Sequence, residues 1–344
     1  MLYVLIYFSI RAKAPIEDRS AFSLSFFPVQ LPVLFRMAPS SVVARLMSLS
    51  ATIAAIALSH GLFSSCEAVE PERTLADRMT LATLNTSSFW AIADVPYTAK
   101  DRVILEARLK VLGTDADFLV HLGDIKSGTS VCNQAVIDQM DALMKSSPVP
   151  VLMVIGDNEF NDCTKPRAAL TMWRRTFAGY AAKYWSPKFV VTQMPNRPEV
   201  FSFVNKETLY IGLNLVGGLV HDLNEWNTRH AAQLAWIQPL MLAHASTIHS
   251  VVLFGHADPG ANHASFINPF VIFLRTKFPT TIPVLYLCGD AHKWGNNTAY
   301  RNVPNWFRVR LTGGVKEKIN KITVDPYRLG IDKSTAFQVE RYLV

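Results

Sequence analysis

Eight polar side chains stand where apolar runs stop: Asp94, Asp124, Asp157, Asn158, Glu159, His256, Asp290 and His292. Four of the five runs break at a glycine: 118–122 at Gly123, 149–155 at Gly156, 250–254 at Gly255 and 284–288 at Gly289. The fifth, 89–93, meets Asp94 directly. A buried strand that ends this way presents its polar residues at the carboxyl edge of a sheet, where open α/β sheets tend to place ligand sites. Carboxylates and imidazoles gathered at one edge repel, or stay unpaired, unless a cation neutralises them. Two divalent ions sharing one carboxylate can hold a hydroxide and clamp a phosphoryl group for in-line attack. Taken singly the residues have plainer uses. Asp94 and Asp124 suit helix N-caps, His256 suits a loop histidine satisfied by backbone, and Asp290 with His292 suits an ordinary Asp–His pair.

The elements that must position these residues alternate. Residues 100–112 carry apolar side chains at Val103, Ile104, Ala107, Val111 and Leu112, the spacing of an amphipathic helix, and 134–144 read as a second helix. Strand, helix, strand in this order argues for a βαβ start and a parallel sheet. Pro166 suits the first turn of a helix reaching about residue 180. Residues 201–204 and 209–213, separated by four polar residues, read as an antiparallel hairpin, so the second half is not simply doubly wound. Helices over 229–245 and 265–278 alternate with the strands 250–254 and 284–288, and strands over 306–311 and 318–324 close the domain.

In chain order the motifs are Asp94-Val95-Pro96-Tyr97, Gly123-Asp124-Ile125-Lys126-Ser127-Gly128, Gly156-Asp157-Asn158-Glu159-Phe160-Asn161-Asp162-Cys163, Gly255-His256 and Gly289-Asp290-Ala291-His292. This set resembles the calcineurin-like metallophosphoesterases, and within them a subgroup carrying D-x-P-Y, G-D-x-x-S-G, G-D-N-E-x-x-D-C and G-D-x-H. The resemblance covers about residues 89–326. It implies a four-layer α/β/β/α sandwich with two mixed β-sheets, over a domain spanning 79–344. It also implies a phosphoesterase that hydrolyses phosphate mono- or diesters with metal-activated water. Asp94 then matches a first-metal carboxylate, Asp124 the bridging one, His256 a second-metal ligand and His292 a first-metal ligand. Asp157 stands where the family has a metal-binding asparagine, and Asp290 where it has a histidine. Asn158 stands at the family's phosphate-contacting histidine, and Glu159 at the acidic residue that supports it.

Pro96 replaces the histidine of the family's D-x-H, and Asn158 has no proton to exchange as an imidazole does. The pocket is therefore richer in carboxylate, which biases it toward harder cations. The implied cofactor is one or two divalent ions (Mn, Mg, Fe or Zn), one held firmly and a second weakly. The same departures support the alternative of a degenerate, non-catalytic fold that binds a ligand or a protein. Lys165, Arg167, Arg174 and Arg175 lie beside or on the helix after Cys163, and arginine matches phosphate geometry. A solvated basic face is the simpler use. Trp173 and Phe177 are expected in the core, as is His121.

Half of the residues are hydrophobic and 18% are charged, with a formal net charge of +7. Residues 1–68 hold five basic and three acidic residues, leaving 29 and 24 in the remainder. That mild, dispersed excess gives no basic stripe for nucleic acid. The stretch 46–65 has no Asp, Glu, Lys or Arg and precedes Cys66-Glu67-Ala68, a small-x-small sequence suited to signal-peptidase cleavage. Residues 1–68 thus read as an extension and signal peptide, the expectation being a secreted or extracytoplasmic protein. The alternative is a membrane anchor at 46–65, a length near the ~20 residues of a span. A cleaved signal implies no stable membrane association. If their loops border one pocket, Cys132 and Cys163 can pair and pin them together, while Cys288 suits a free core thiol. Asn85-Thr86-Ser87 and Asn296-Asn297-Thr298 are glycosylation sequons that matter only in a eukaryotic secretory pathway. The expected partner is a small phosphorylated substrate; the oligomeric state is not legible.

Overall fold

Three of the apolar runs form the parallel strands β1 (Ser87–Ile92), β2 (Phe118–His121) and β3 (Val151–Met153). The structure is a computed structural model that describes residues 85–327 and 333–341; the signal or anchor expected within 1–68 lies outside them. Helix α1 (Ala99–Lys110) links β1 to β2, and α2 (Gln134–Met144) links β2 to β3. Neither Asp94 nor Asp124 caps these helices. Thr98 caps α1 in a reciprocal box with Asp101, and Asn133 caps α2. The buried face of α1 is Leu105 and Leu109, whereas Val103 and Val111 are exposed. The apolar spacing found the helix but not the side that packs.

After β3 come α3 (Pro166–Phe177) and α4 (Tyr180–Tyr184). The expected single helix breaks because Ala178 is extended and Gly179 takes φ 65°. The second sheet begins with β4 (Thr192–Met194), β5 (Arg197–Asn205) and β6 (Thr208–Gly212), the last two forming the anticipated hairpin. Next are α5 (Leu223–His244), β7 (Ser250–Phe254), α6 (Ala264–Thr276) and β8 (Val284–Cys288). Helix α5 starts earlier than the apolar pattern suggests because Asp222 caps it through the Glu225 amide. The chain closes with β9 (Gly295–Asn297), β10 (Trp306–Arg310), β11 (Asn320–Val324) and β12 (Phe337–Glu340).

One sheet has the order β12-β11-β1-β2-β3, and the other β4-β5-β6-β7-β8-β10-β9. Both are mixed. In the first, β11 runs antiparallel to β1; in the second, β6, β7, β8 and β10 are parallel and the outer strands antiparallel. Three apolar cores stack through the molecule. The middle one joins the two sheets through Phe89, Phe118, Tyr210, Phe254 and Phe307. Another packs α1, α2 and α3 on the first sheet through Leu105, Met140 and Trp173. The third packs α5 and α6 on the second sheet through Ile237, Phe270 and Leu285's neighbours Val284 and Tyr286. Helix, sheet, sheet, helix: this is the four-layer α/β/β/α sandwich with two mixed sheets that the motif resemblance implied. Among the described residues no helix is long and apolar enough to cross a membrane.

Candidate metal centre

The carboxyl ends of β1, β2, β3, β7 and β8 bring the predicted residues to one edge. Asp94 and Asp124 both take left-handed backbone (φ 58° and 63°), turning their side chains off the strand line. Two glycines make the approach possible. A Cβ on Gly156 would lie 2.2 Å from the Asp124 amide nitrogen, and one on Gly123 would lie 2.6 Å from His256 Nδ1. Any larger residue would push the strand ends apart.

His256 is the centre of the cluster. It is fully buried, and its Nδ1 donates to the Leu122 carbonyl at 2.7 Å, which turns Nε2 toward the acids. Nε2 lies 2.9 Å from Asp157 Oδ1, 3.2 Å from Asp124 Oδ1 and 3.7 Å from Asp290 Oδ1. None of these oxygens is aligned to accept a hydrogen bond, so Nε2 is a buried polar atom without a hydrogen-bond partner. Asp94, Asp124 and His256 each offer a ligand atom within 4.8 Å of the other two, and so do Asp157, His256 and Asp290. Each triad fits a divalent ion held by oxygen and nitrogen, and because Nδ1 is committed to Leu122 the single Nε2 lone pair of His256 serves one ion at a time. His292 is not in either triad; it is exposed, and its Nε2 lies 3.4 Å from the Tyr97 hydroxyl rather than on Asp290.

The electrostatics follow from burial and crowding. Burial, aided by Asp124 and Asp290, pushes the Asp94 carboxyl up to about 7, although His256 opposes this. Burial also raises Asp290. At His256 burial works against the charged form, yet the Asp124 and Asp157 carboxylates prevail and hold it well above its ordinary value. Burial opposes ionisation of Asp157 too, but the His256 contact holds it low. The edge thus stores mutual repulsion that a cation relieves.

Asn158 and Glu159 do different work from each other. The Asn158 amide donates to Asp124 Oδ1 at 3.1 Å, and its side-chain Nδ2 donates to Asp124 Oδ2. Glu159 lies behind the edge, 2% exposed, and accepts from the amides of Gly156 (2.6 Å), Asp124 (3.2 Å) and Ile125 (3.2 Å). It therefore ties the β2 and β3 loops together and makes no hydrogen bond to the Asn158 side chain. Burial, then Asp124, pushes its carboxyl up to about 8. Beside it, Lys126 turns its ammonium onto the Ser127 and Ser130 carbonyls at 2.9 Å each.

Three neighbours had no role in the sequence reading. Tyr97 reaches Asp124, Asp162 lies against Asp157, and the Gly217 amide donates to Asp157 Oδ1 at 3.1 Å. Tyr97 and Asp162 sit inside the D-x-P-Y and G-D-N-E-x-x-D-C motifs of the family resemblance, the one signal that could have found them; nothing local marks Gly217. His121 is a buried core residue, donating from Nε2 to the Val95 carbonyl at 2.7 Å and accepting the Gly123 amide on Nδ1. Arg174 is engaged by buried Glu199 in a two-pronged pair at 2.7 and 2.8 Å, so the basic helix face is structural there. Trp173 and Phe177 pack together in the core.

Cys132 and Cys163 form a disulfide with a Cα–Cα distance of 5.9 Å, and Cys288 is a buried free thiol. The bond joins the loops that follow β2 and β3, 31 residues apart in sequence. By loop-closure entropy such a crosslink is worth about 3–4 kcal/mol. The double variant Cys132→Ser, Cys163→Ser is expected to lose about that much in denaturant unfolding; a loss under about 1 kcal/mol would show that the loops hold without it.

No protein-family profile matches the sequence, and no curated protein matches it. Among solved structures the chain is similar to PhoD (TM-score 0.45, 12% identity, covering 75% of this chain and 68% of that one). It is also similar to GAP50, the anchor in the inner membrane complex of Plasmodium (TM-score 0.40, 11% identity, 75% and 89%). A third likeness is the 5'-nucleotidase of Candida albicans SC5314 (TM-score 0.43, 11% identity), where 74% of this chain spans 51% of that one.

Proposed function

We propose that this chain is a metal-dependent phosphoesterase acting on a small phosphate mono- or diester. Asp94, Asp124, Asp157, His256, Asp290 and His292 would hold one or two divalent ions. The observation that carries the reading is His256 Nε2, buried, without a hydrogen bond and surrounded by three carboxylates. A bound divalent ion supplies Lewis-acid charge stabilisation and an activated water. The chain's own residues position. Asp124 lies in one triad and close to the other, Glu159 fixes both loops from behind, and Asn158 holds Asp124 in place through its backbone and side-chain amides. No imidazole stands at Asn158 to pass a proton to the leaving group, so the reaction leans on charge stabilisation. The disulfide suits an oxidising, extracytoplasmic compartment.

The experiment is direct. Purified protein is assayed for bound metal, then for hydrolysis of p-nitrophenyl phosphate and bis-p-nitrophenyl phosphate before and after reconstitution with Mn²⁺, Mg²⁺, Fe²⁺ or Zn²⁺. Metal-dependent turnover is expected, and no divalent binding under any condition sinks the reading. One observation favours the second reading, a binding module without turnover. The Asn158 side chain is spent on Asp124 and not offered to the pocket. Metal and phosphate binding without hydrolysis of either ester would select it.

A further inference from the structure

We propose that the Tyr97 hydroxyl is a positioning group of the metal centre, which braces Asp124 and His292 from the loop after β1. The proposal rests on the metal-centre reading and adds a residue to it. The hydroxyl donates to Asp124 Oδ2 at 2.8 Å, with Asn158 Nδ2 and His292 Nε2 each 3.4 Å away. Its three contacts come from the ends of β2, β3 and β8, and Tyr97 itself follows β1. A phenol has one proton and two lone pairs. With the proton given to Asp124, the oxygen can accept from Asn158 and His292 at the same time. The ring also meets the His292 ring edge-on, centroids 5.6 Å apart.

The loop is built to hold that hydroxyl still. The Tyr97 amide donates to Asp101 Oδ2 at 3.2 Å and the Thr98 amide to the same oxygen at 2.9 Å, so the α1 capping box fixes the backbone on one side. On the other side His121 holds the Val95 carbonyl. A tyrosine serving only to cover His292 would need its ring but not its oxygen. Outer partners of metal ligands typically change affinity about 10- to 100-fold when removed.

Tyr97→Phe keeps the ring and removes only the oxygen. Wild type, Y97F and D101N are titrated with Mn²⁺ in chelator-stripped buffer, with free Mn²⁺ followed by electron paramagnetic resonance. Tyrosine absorption and circular dichroism are recorded alongside. Y97F is expected to bind Mn²⁺ about 10-fold or more weakly, with an unchanged dichroism spectrum and chelator melt. A tyrosine difference spectrum is expected on Mn²⁺ binding to wild type and not to Y97F. D101N, which loosens the loop without touching the site, is expected to weaken binding by a smaller factor. Y97F affinity within twofold of wild type overturns the proposal while leaving the metal centre standing. If Y97F does not fold, D101N decides: native dichroism with weakened binding supports the role, and unchanged binding overturns it. Wild type that binds no Mn²⁺ removes the metal centre itself, and Tyr97's role with it.

Discussion

Alanine at Asp124 is expected to abolish both metal uptake and ester hydrolysis while leaving the metal-free protein folded. Asp124 touches more of the centre than any other acid: its oxygens meet Tyr97, the Asn158 amide and side chain, and the buried His256. It also lies in the triad with Asp94 and His256. A direct ligand should matter more than an outer partner, so the loss in divalent-ion affinity is expected to exceed about 100-fold. The effect on folding is smaller and of mixed sign. Removing the carboxylate leaves the Asn158 amide without its acceptor, a cost of about 1–3 kcal/mol. It also relieves Asp94 and Glu159, both of which Asp124 pushes toward the protonated form. Active-site acids are commonly held at such a cost to the fold. Calorimetric titration with Mn²⁺, an ester assay and a melt in chelator separate the two effects. Hydrolysis surviving in D124A would remove Asp124 from the mechanism.

The sequence carried this centre unevenly, for physical reasons. Strand ends followed by glycine and acid were legible because burial demands apolar runs and close approach demands glycine; β7 and β8 fell at the residues expected. Short edge strands were not legible. β9 is Gly295-Asn296-Asn297, partly or fully exposed, and its only strand signal is its pairing with β10. Helix α1 shows the opposite failure: its apolar residues mark a helix, but Leu105 and Leu109 alone reach the core while Val103 and Val111 face solvent. For Glu159, the family resemblance implied support for the residue at Asn158. Its three amide contacts arise because β2 and β3 lie side by side, a tertiary fact that no local window holds.

The stabilisation given by metal is expected to grow steeply from pH 5 to pH 8. Asp94 is pushed up to about 7 by burial and Glu159 to about 8 by burial and Asp124. A carboxyl that binds its proton more tightly when folded contributes stability below its unfolded value near 4, and loses it as pH rises toward the folded value. His256, held well above its ordinary value by Asp124 and Asp157 against the pull of burial, acts in the same direction. The metal-free protein is therefore strained most at neutral and alkaline pH, by about 1.4 kcal/mol per displaced pKa unit. A divalent ion bound by Asp94 and His256 must displace their protons, so its affinity rises about tenfold per pH unit for each proton released. Buried His121, His230 and His263, lowered by burial to about 4, 3 and 4, work the other way: their stability is lost as pH falls below about 6.5. They lie outside the two triads, and the burial that lowers them is the same with and without metal, so that largest part cancels in the difference. Paired melts at pH 5, 6, 7 and 8, each with Mn²⁺ and with chelator, measure that difference. A shift that stays flat or shrinks toward pH 8 would show that the ion does not enter among Asp94, Asp124 and His256.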